Sequence, residues 1–306
     1  MPTKNISRRT FLGLSAVAVA TTLLGTSCSH PRQTKRIGLA LGAGGARGLA
    51  HIPIVELFDE LGIRPDQLAG SSMGAVIGVL YASGMSGMEI RALIDEFVVR
   101  ENESFAGALS RWEAFKWVGF VDPEFGNGGL LSTEKFVTFI QESINRSTFE
   151  ELEIPLKIVA ADFWNREQVV FERGELFPAL QASIAIPGLF TPIIHQGRTL
   201  VDGSAANPVP YDLLLKECDI TIAVDVQGTW TPDEDLKPSL FDAAMGSSLI
   251  MQKSIIREQL KRQPPTIYLT PQIHDIRVLD FDKADTIYQQ TAASKEELRK
   301  RLSALL

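Results

Sequence analysis

The chain predicts an α/β fold with a mostly parallel central sheet, and three observations carry that expectation. Apolar runs of strand length recur at 36–41, 156–162 (LKIVAAD), 168–172 (QVVFE), 198–201 and 220–226 (ITIAVDV), with helical stretches between them. Twice in the first third of the chain, a short apolar run passes through a glycine turn directly into a helix. The length of 306 residues suits a leader plus one α/β unit, and no internal repeat or low-complexity segment interrupts it.

Residues 1–27 read as an export signal. Lys4, Arg8 and Arg9 make a basic start with no acidic residue, and the apolar stretch 11–24 has 14 residues. A membrane-spanning helix needs about 20, so the stretch suits a signal peptide. Ser7-Arg8-Arg9-Thr10-Phe11-Leu12 looks like a twin-arginine signal, with an ordinary secretion signal as the alternative. Leu24-Gly25-Thr26-Ser27-Cys28 resembles a bacterial lipoprotein cleavage site, which makes Cys28 the expected lipidation position. Residues 28–35 are then a polar tether, and the domain runs from 36 to 306. The expected location is the cell envelope, anchored to a membrane through Cys28. With Cys28 consumed, Cys218 is left alone and no disulfide is expected.

The run 36–41 (RIGLAL) reads as a buried strand, followed by the glycine loop 42–48 (GAGGARG) and an amphipathic helix over about 49–61. Strand, glycine loop and helix together make an anion site of backbone N–H groups. A dinucleotide site needs a third glycine where Arg47 stands, and a phosphate loop needs a Gly-Lys-Ser/Thr that does not follow. The remaining anion is one formed during reaction, an acyl oxyanion held by Gly44 and Gly45. Next comes a short strand at 67–69, the turn 70–74 (GSSMG), and an apolar helix over 73–83. G-x-S-x-G is a nucleophile elbow: glycines at Gly70 and Gly74 relieve a tight turn that exposes Ser72 above a helix N-terminus. The competing reading is a purely structural strand-to-helix turn.

Between about 84 and 127 the pattern changes. Phe105, Trp112, Phe115, Trp117, Phe120 and Phe125 crowd into 21 residues, which reads as a lid-like insertion. The rings make the lid's own small core, with one or two lining an acyl groove. Further on, Asp202-Gly203 ends the strand 198–201; it is either a common turn or a carboxylate placed to take a proton from Ser72. Of the histidines, His274 follows the strand 266–269 and would complete a Ser72–Asp202–His274 triad in order. His51 reads as a packed structural residue, His195 as a strand-turn residue, and His30 lies in the tether. The last 25 residues include KEELRKRL, a charged amphipathic helix expected to present a solvated capping face.

Four blocks together resemble the patatin-like phospholipase family: 39–52 (LALGAGGARGLAHI), 70–75 (GSSMGA), 182–192 (ASIAIPGLFTP) and 201–210 (VDGSAANPVP). The resemblance implies a three-layer α/β/α sandwich with a helical lid, and a serine–aspartate dyad without histidine, on Ser72 and Asp202. It implies an oxyanion loop at Gly44 and Gly45, with Arg47 bracing that loop or favouring nearby negative charge, and supporting roles for Gly42, Gly48, Gly70, Gly74 and Gly203. Ala43 stands where the family has a glycine, and Ser204 where it has glycine or alanine.

The formal charge is −7; without Lys4, Arg8 and Arg9 it becomes −10, a surface unsuited to nucleic acid. No Cys/His cluster points to zinc and no acidic loop to calcium, so no metal and no cofactor is expected. The expected activity is hydrolysis of lipid acyl esters through an acyl-serine, with a lipid or phospholipid substrate. The alternatives are the triad esterase and a non-catalytic acyl-binding lipoprotein.

Overall fold

The computed structural model describes residues 35–97, 133–231 and 240–306, all within one unit spanning Lys35–Leu306. The export signal, Cys28, His30 and the six crowded aromatics of 105–125 lie outside the described residues.

The first strand, β1 (Ile37–Leu41), runs into the glycine loop and then a tight turn of helix over Gly45–Ala50, before α1 (His51–Glu60) begins. The expected helix thus splits in two, because Gly45 has a positive φ of 56° and starts a tighter turn than an α-helix allows. β2 (Gln67–Ser71) leads through Ser72 into α2 (Met73–Ala82), every residue of which is buried. α3 (Gly87–Phe97) and α4 (Thr133–Ser143) follow. The hairpin β3 (Leu156–Asp162) and β4 (Glu167–Phe171) precedes α5 (Leu176–Ser183), and β5 (Ile193–His195) and β6 (Arg198–Asp202) form a second hairpin. β7 (Ile220–Val224), the 23-residue α6 (Leu240–Arg262), β8 (Ile267–Leu269) and α7 (Ala284–Leu305) complete the chain.

Among the described residues the strands make one eight-stranded sheet in the order β5-β6-β3-β2-β1-β7-β8, with β4 paired to β3. The run from β3 through β2, β1 and β7 to β8 is parallel, whereas β4, β5 and β6 pair antiparallel. Side chains alternate across a strand, so β1 sends Leu39 and Leu41 to one face and Ala40 to the other. Leu39 and Leu41 join the large core with residues of α1, α2, α5 and α7. Ala40, Ala69 and Ala223 meet Tyr211, Leu214 and Ile256 of α6 on the opposite face. Helices therefore cover both faces, in three layers.

Two helices depart from their expected surroundings. α3 opens the segment expected to be a lid, yet its Ile90 and Ile94 are buried in the main core. Its Arg91 binds Glu56 of α1 through two hydrogen bonds of 2.5 and 2.9 Å and covers the Tyr288 ring of α7. The C-terminal helix α7, expected to be a solvated face, buries Ile287, Leu298 and Leu302 and sends Lys295 and Arg299 to Glu60 of α1. Its charges are the outer half of a packed helix. Among the described residues no helix is long and apolar enough to cross a membrane.

α2 approaches β1 so closely that Gly74 touches the carbonyls of Leu41 and Gly42; any Cβ there would overlap the Leu41 oxygen. Gly74→Ala gains about 1 kcal/mol of helix propensity but must push a helix off a backbone carbonyl, which costs about 3 kcal/mol. The clash wins, and the unfolding free energy is expected to fall by about 2 kcal/mol, read as a lower urea midpoint.

Candidate active site

β3 is the element that assembles the site. Ile158 and Val159 pair with β4 on one edge and with β2 on the other, while Ala160–Asp162 pair with β4 and with β6. A strand has only two edges, so β2 and β6 share the edge opposite β4 and run toward each other along it. Ser71 ends opposite Val159 and Asp202 opposite Ala160, adjacent positions on the same ruler. The chain thereby brings Ser72 and Asp202, 130 positions apart, into contact.

Ser72 caps α2 with φ 55° and ψ −126°, a conformation that costs a non-glycine residue about 1–3 kcal/mol. The strain is held from both ends. Its N–H donates to the Ser183 hydroxyl at 3.0 Å, and its carbonyl accepts from Ala75 at 2.8 Å. The side chain donates from Oγ to Asp202 Oδ2 at 2.6 Å. Asp202 Oδ1 accepts from the Ser204 N–H at 2.8 Å, and the Asp202 N–H donates to the Ala185 carbonyl at 2.9 Å. Ser72 and Asp202 are 4% and 1% exposed. Burial pushes the Asp202 carboxyl above the usual carboxylate range; the bonds from Ser72 and Ser204 favour the ion and only partly offset it.

The glycine loop lies against the start of α2, with Gly48 packed on Met73 and Gly42 on Val224 and Val209. Its flanking amides are all used: Gly42 N–H donates to Val224, Ala43 N–H to Pro208 and Ala46 N–H to Val278, all through carbonyls. Between them, the N–H groups of Gly44 and Gly45 have no acceptor among the described residues. Gly45 needs its glycine twice over, for the positive φ and because a Cβ would strike Val278. Ala43 is not among the positive-φ residues, so alanine fits where the family has glycine. Ser204 serves through its backbone N–H, so its side chain leaves that hold intact. Gly70 packs on Ala75, and Gly203 packs on the Val159 carbonyl.

Arg47 is 2% exposed and braces the loop, Nε donating to the Gly44 carbonyl at 3.3 Å and Nη1 to that of Ile276 at 3.4 Å. Burial pulls its guanidinium down to about 10 against the opposing pull of Asp225 and Asp280. His51 supports the loop from beneath: a carbonyl can only accept, so the 2.7 Å contact with Gly42 O puts the proton on Nε2. Nδ1 is then a bare buried acceptor without a partner, and burial holds the imidazole pKa down to about 4. The sign follows. Between pH 6.5 and 4 the unfolded chain binds the proton and the folded one does not, so stability falls as pH drops, by up to about 3 kcal/mol. His51→Gln keeps a donor for Gly42 but does not titrate. Wild-type unfolding free energy is expected to drop more steeply than the variant's between pH 7 and pH 4.5.

His274 does not join the site. Its Nδ1 meets the Thr229 hydroxyl at 2.6 Å and its N–H donates to Gln290, while neither Ser72 nor Asp202 hydrogen-bonds to it. His195 sits on β5, edge-on to Phe171. Cys218 is a free thiol whose pKa burial raises. Three contributors went unassigned in the sequence: Ser183, Gln252 and Gln227. Gln252 Nε2 donates to the Ser204 hydroxyl at 3.3 Å and Gln227 Nε2 to Gln252 Oε1 at 3.0 Å, both residues buried. Ser183 lies inside a family block, but nothing local marks its hydroxyl as an acceptor. Among the described residues no group of three or more His, Cys, Asp or Glu is arranged to hold a metal ion.

A family model described as patatin-like phospholipase matches residues 39–215. An uncharacterized NTE family protein of Mycobacterium tuberculosis is 36% identical over 207 residues, covering 67% of this chain and 53% of its own length. Lysophospholipase NTE1 of Kluyveromyces lactis is 26% identical over 277 residues, covering 83% of this chain and 18% of its own. Among solved structures, VipD from Legionella pneumophila is 14% identical with a TM-score of 0.46, over 86% of this chain and 67% of that one. The chain spans about half the length, or less, of the curated relatives it matches. With the family model matched over more than half of its residues, including both Ser72 and Asp202, the chain belongs to the patatin-like phospholipase family.

Proposed function

We propose that this protein is a serine hydrolase of lipid acyl esters that works through a Ser72–Asp202 dyad. The observation that carries the reading is the 2.6 Å bond from Ser72 Oγ to a buried carboxylate, on a strained elbow near a loop with two amides that have no acceptor among the described residues. Asp202 takes the hydroxyl proton as Oγ attacks the ester carbonyl. Removal from water makes this carboxylate a stronger base than an ordinary aspartate, which is what a dyad without histidine requires. The N–H groups of Gly44 and Gly45 receive the oxyanion; such donors contribute about 3 kcal/mol each. The carboxyl proton passes to the departing alcohol, leaving an acyl-serine. Asp202 then takes a proton from water as the water oxygen attacks the acyl carbonyl, and returns it to Ser72 Oγ as the fatty acid leaves.

The name of the fungal relatives, lysophospholipase, supports a lipid with one acyl chain as the substrate class. Export and anchoring through Cys28 belong to the same proposal and rest on the signal and cysteine pattern of residues 1–28. A fluorophosphonate probe tests the chemistry on the full chain. Expected is one adduct, mapped to the Ser72 peptide, together with loss of ester hydrolysis. A chain that binds acyl groups without cleaving them stays unlabelled, and the proposal then fails.

A further inference from the structure

Beside the glycine loop lies a cavity of about 310 Å³ that the dyad chemistry does not use. Its walls are Arg47, the segment Gln227–Trp230 and one face of α6 with Leu249, Ile250 and Lys253. Among the described residues that line it, both charged ones are cations. Arg47 already faces Asp225 and Asp280 and gives two of its five N–H donors to backbone carbonyls. Lys253 makes no ion pair among the described residues, so it is the cation left for a ligand.

The cavity is tied to both halves of the site. Its Arg47 wall holds the Gly44 carbonyl, and the Trp230 ring lies 6.0 Å from that guanidinium. On the other side, Gln252, next to Lys253 in sequence, donates to the Ser204 hydroxyl, and the Ser204 N–H holds Asp202. The cavity and the loop that carries the Gly44 and Gly45 N–H groups therefore share the Arg47 side chain. The volume suits a small polar head, while the half-exposed Trp230 and the exposed Ile250 offer apolar rim to the chain attached to it.

We propose that this cavity binds the phosphate of the lipid substrate's head group, with Lys253 as the residue that distinguishes phosphate-bearing from neutral acyl esters. The inference rests on the proposed lipid ester hydrolase activity but is tested without turnover. Ser72→Ala in the full chain is titrated with an ether-linked alkylglycerol phosphate and with the matching alkylglycerol, below their aggregation concentrations. A charge-assisted contact corresponds to about tenfold in affinity. The phosphate lipid is expected to bind about tenfold more tightly, Lys253→Met to abolish that preference, and Lys253→Arg to keep most of it. Equal affinity for the two ligands, or a preference that survives Lys253→Met, overturns the proposal. Inorganic phosphate is the third ligand; if it binds as tightly as the phosphate lipid, the cavity serves free phosphate and the head-group assignment fails. A wild-type chain that neither labels nor hydrolyses would sink the catalytic reading instead, whatever these titrations return.

Discussion

Ser72→Ala is expected to lower ester hydrolysis by at least about a thousandfold while leaving the fold in place. In the proposed mechanism Oγ is the atom that bonds to the acyl group, so its loss removes the nucleophile rather than weakening it. Alanine keeps the β-carbon, so the strained φ of 55° costs about the same as before. The bond from the residue's N–H to Ser183 is a backbone bond and survives. The decisive measurement pairs kcat/KM on a soluble acyl ester with thermal unfolding. Activity near zero with an unchanged midpoint assigns the loss to chemistry; retained activity would remove Ser72 from the mechanism.

Asp202→Asn separates stability from function more sharply. The amide accepts from the Ser204 N–H as the carboxylate does and can donate to Ser72 Oγ, so shape and bonding persist while the base is lost. A fall in kcat on the order of a thousandfold is expected. The effect on stability has the opposite sign. Burial raises the carboxyl's folded-state pKa, so from the ordinary aspartate value near 4 upward the folded state binds more proton than the unfolded state. Wild-type stability therefore falls as pH rises through that window and stays reduced above it. The asparagine variant has no such loss, and its midpoint at pH 7 is expected above that of wild type. By the same shift, the acid limb of wild-type kcat/KM should lie above the usual aspartate range. A less stable variant, or an acid limb at an ordinary aspartate value, would contradict a buried, desolvated base.

The legible parts of this protein are those built from neighbouring residues. The glycine loop and the elbow are each strand, turn and helix within about fifteen residues, and their steric demands are local. The residues 36–41 and 73–83 accordingly fold as the pattern indicates. Asp202 is different: an Asp-Gly after a strand is indistinguishable from a turn until β3 pairs with both β2 and β6. The resemblance to a family supplied that pairing, and periodicity could not. His274 stays open in the sequence as an alternative base because order along the chain carries no distance; pairing with Thr229 holds it elsewhere. Gln227 and Gln252 were missed for a related reason. Buried amides that satisfy one another look like surface residues in a composition-based reading. The three-residue β5 is too short for any periodic signal.

The meeting of β2 and β6 along one edge of β3 also fixes when during folding the dyad can exist. Elbow and glycine loop are formed from consecutive chain, but Ser72 has no base until β3 has docked beside β2 and β6 has returned antiparallel to fill the rest of the edge. Ser71 pairs with Val159 and Ala160 with Asp202, so both dockings join strands far apart in the chain, which are slow contacts to make. Partly folded forms of this protein can therefore carry a correctly turned serine and still be chemically silent. In the proposed mechanism, reactivity is therefore a late event, acquired with the completed sheet.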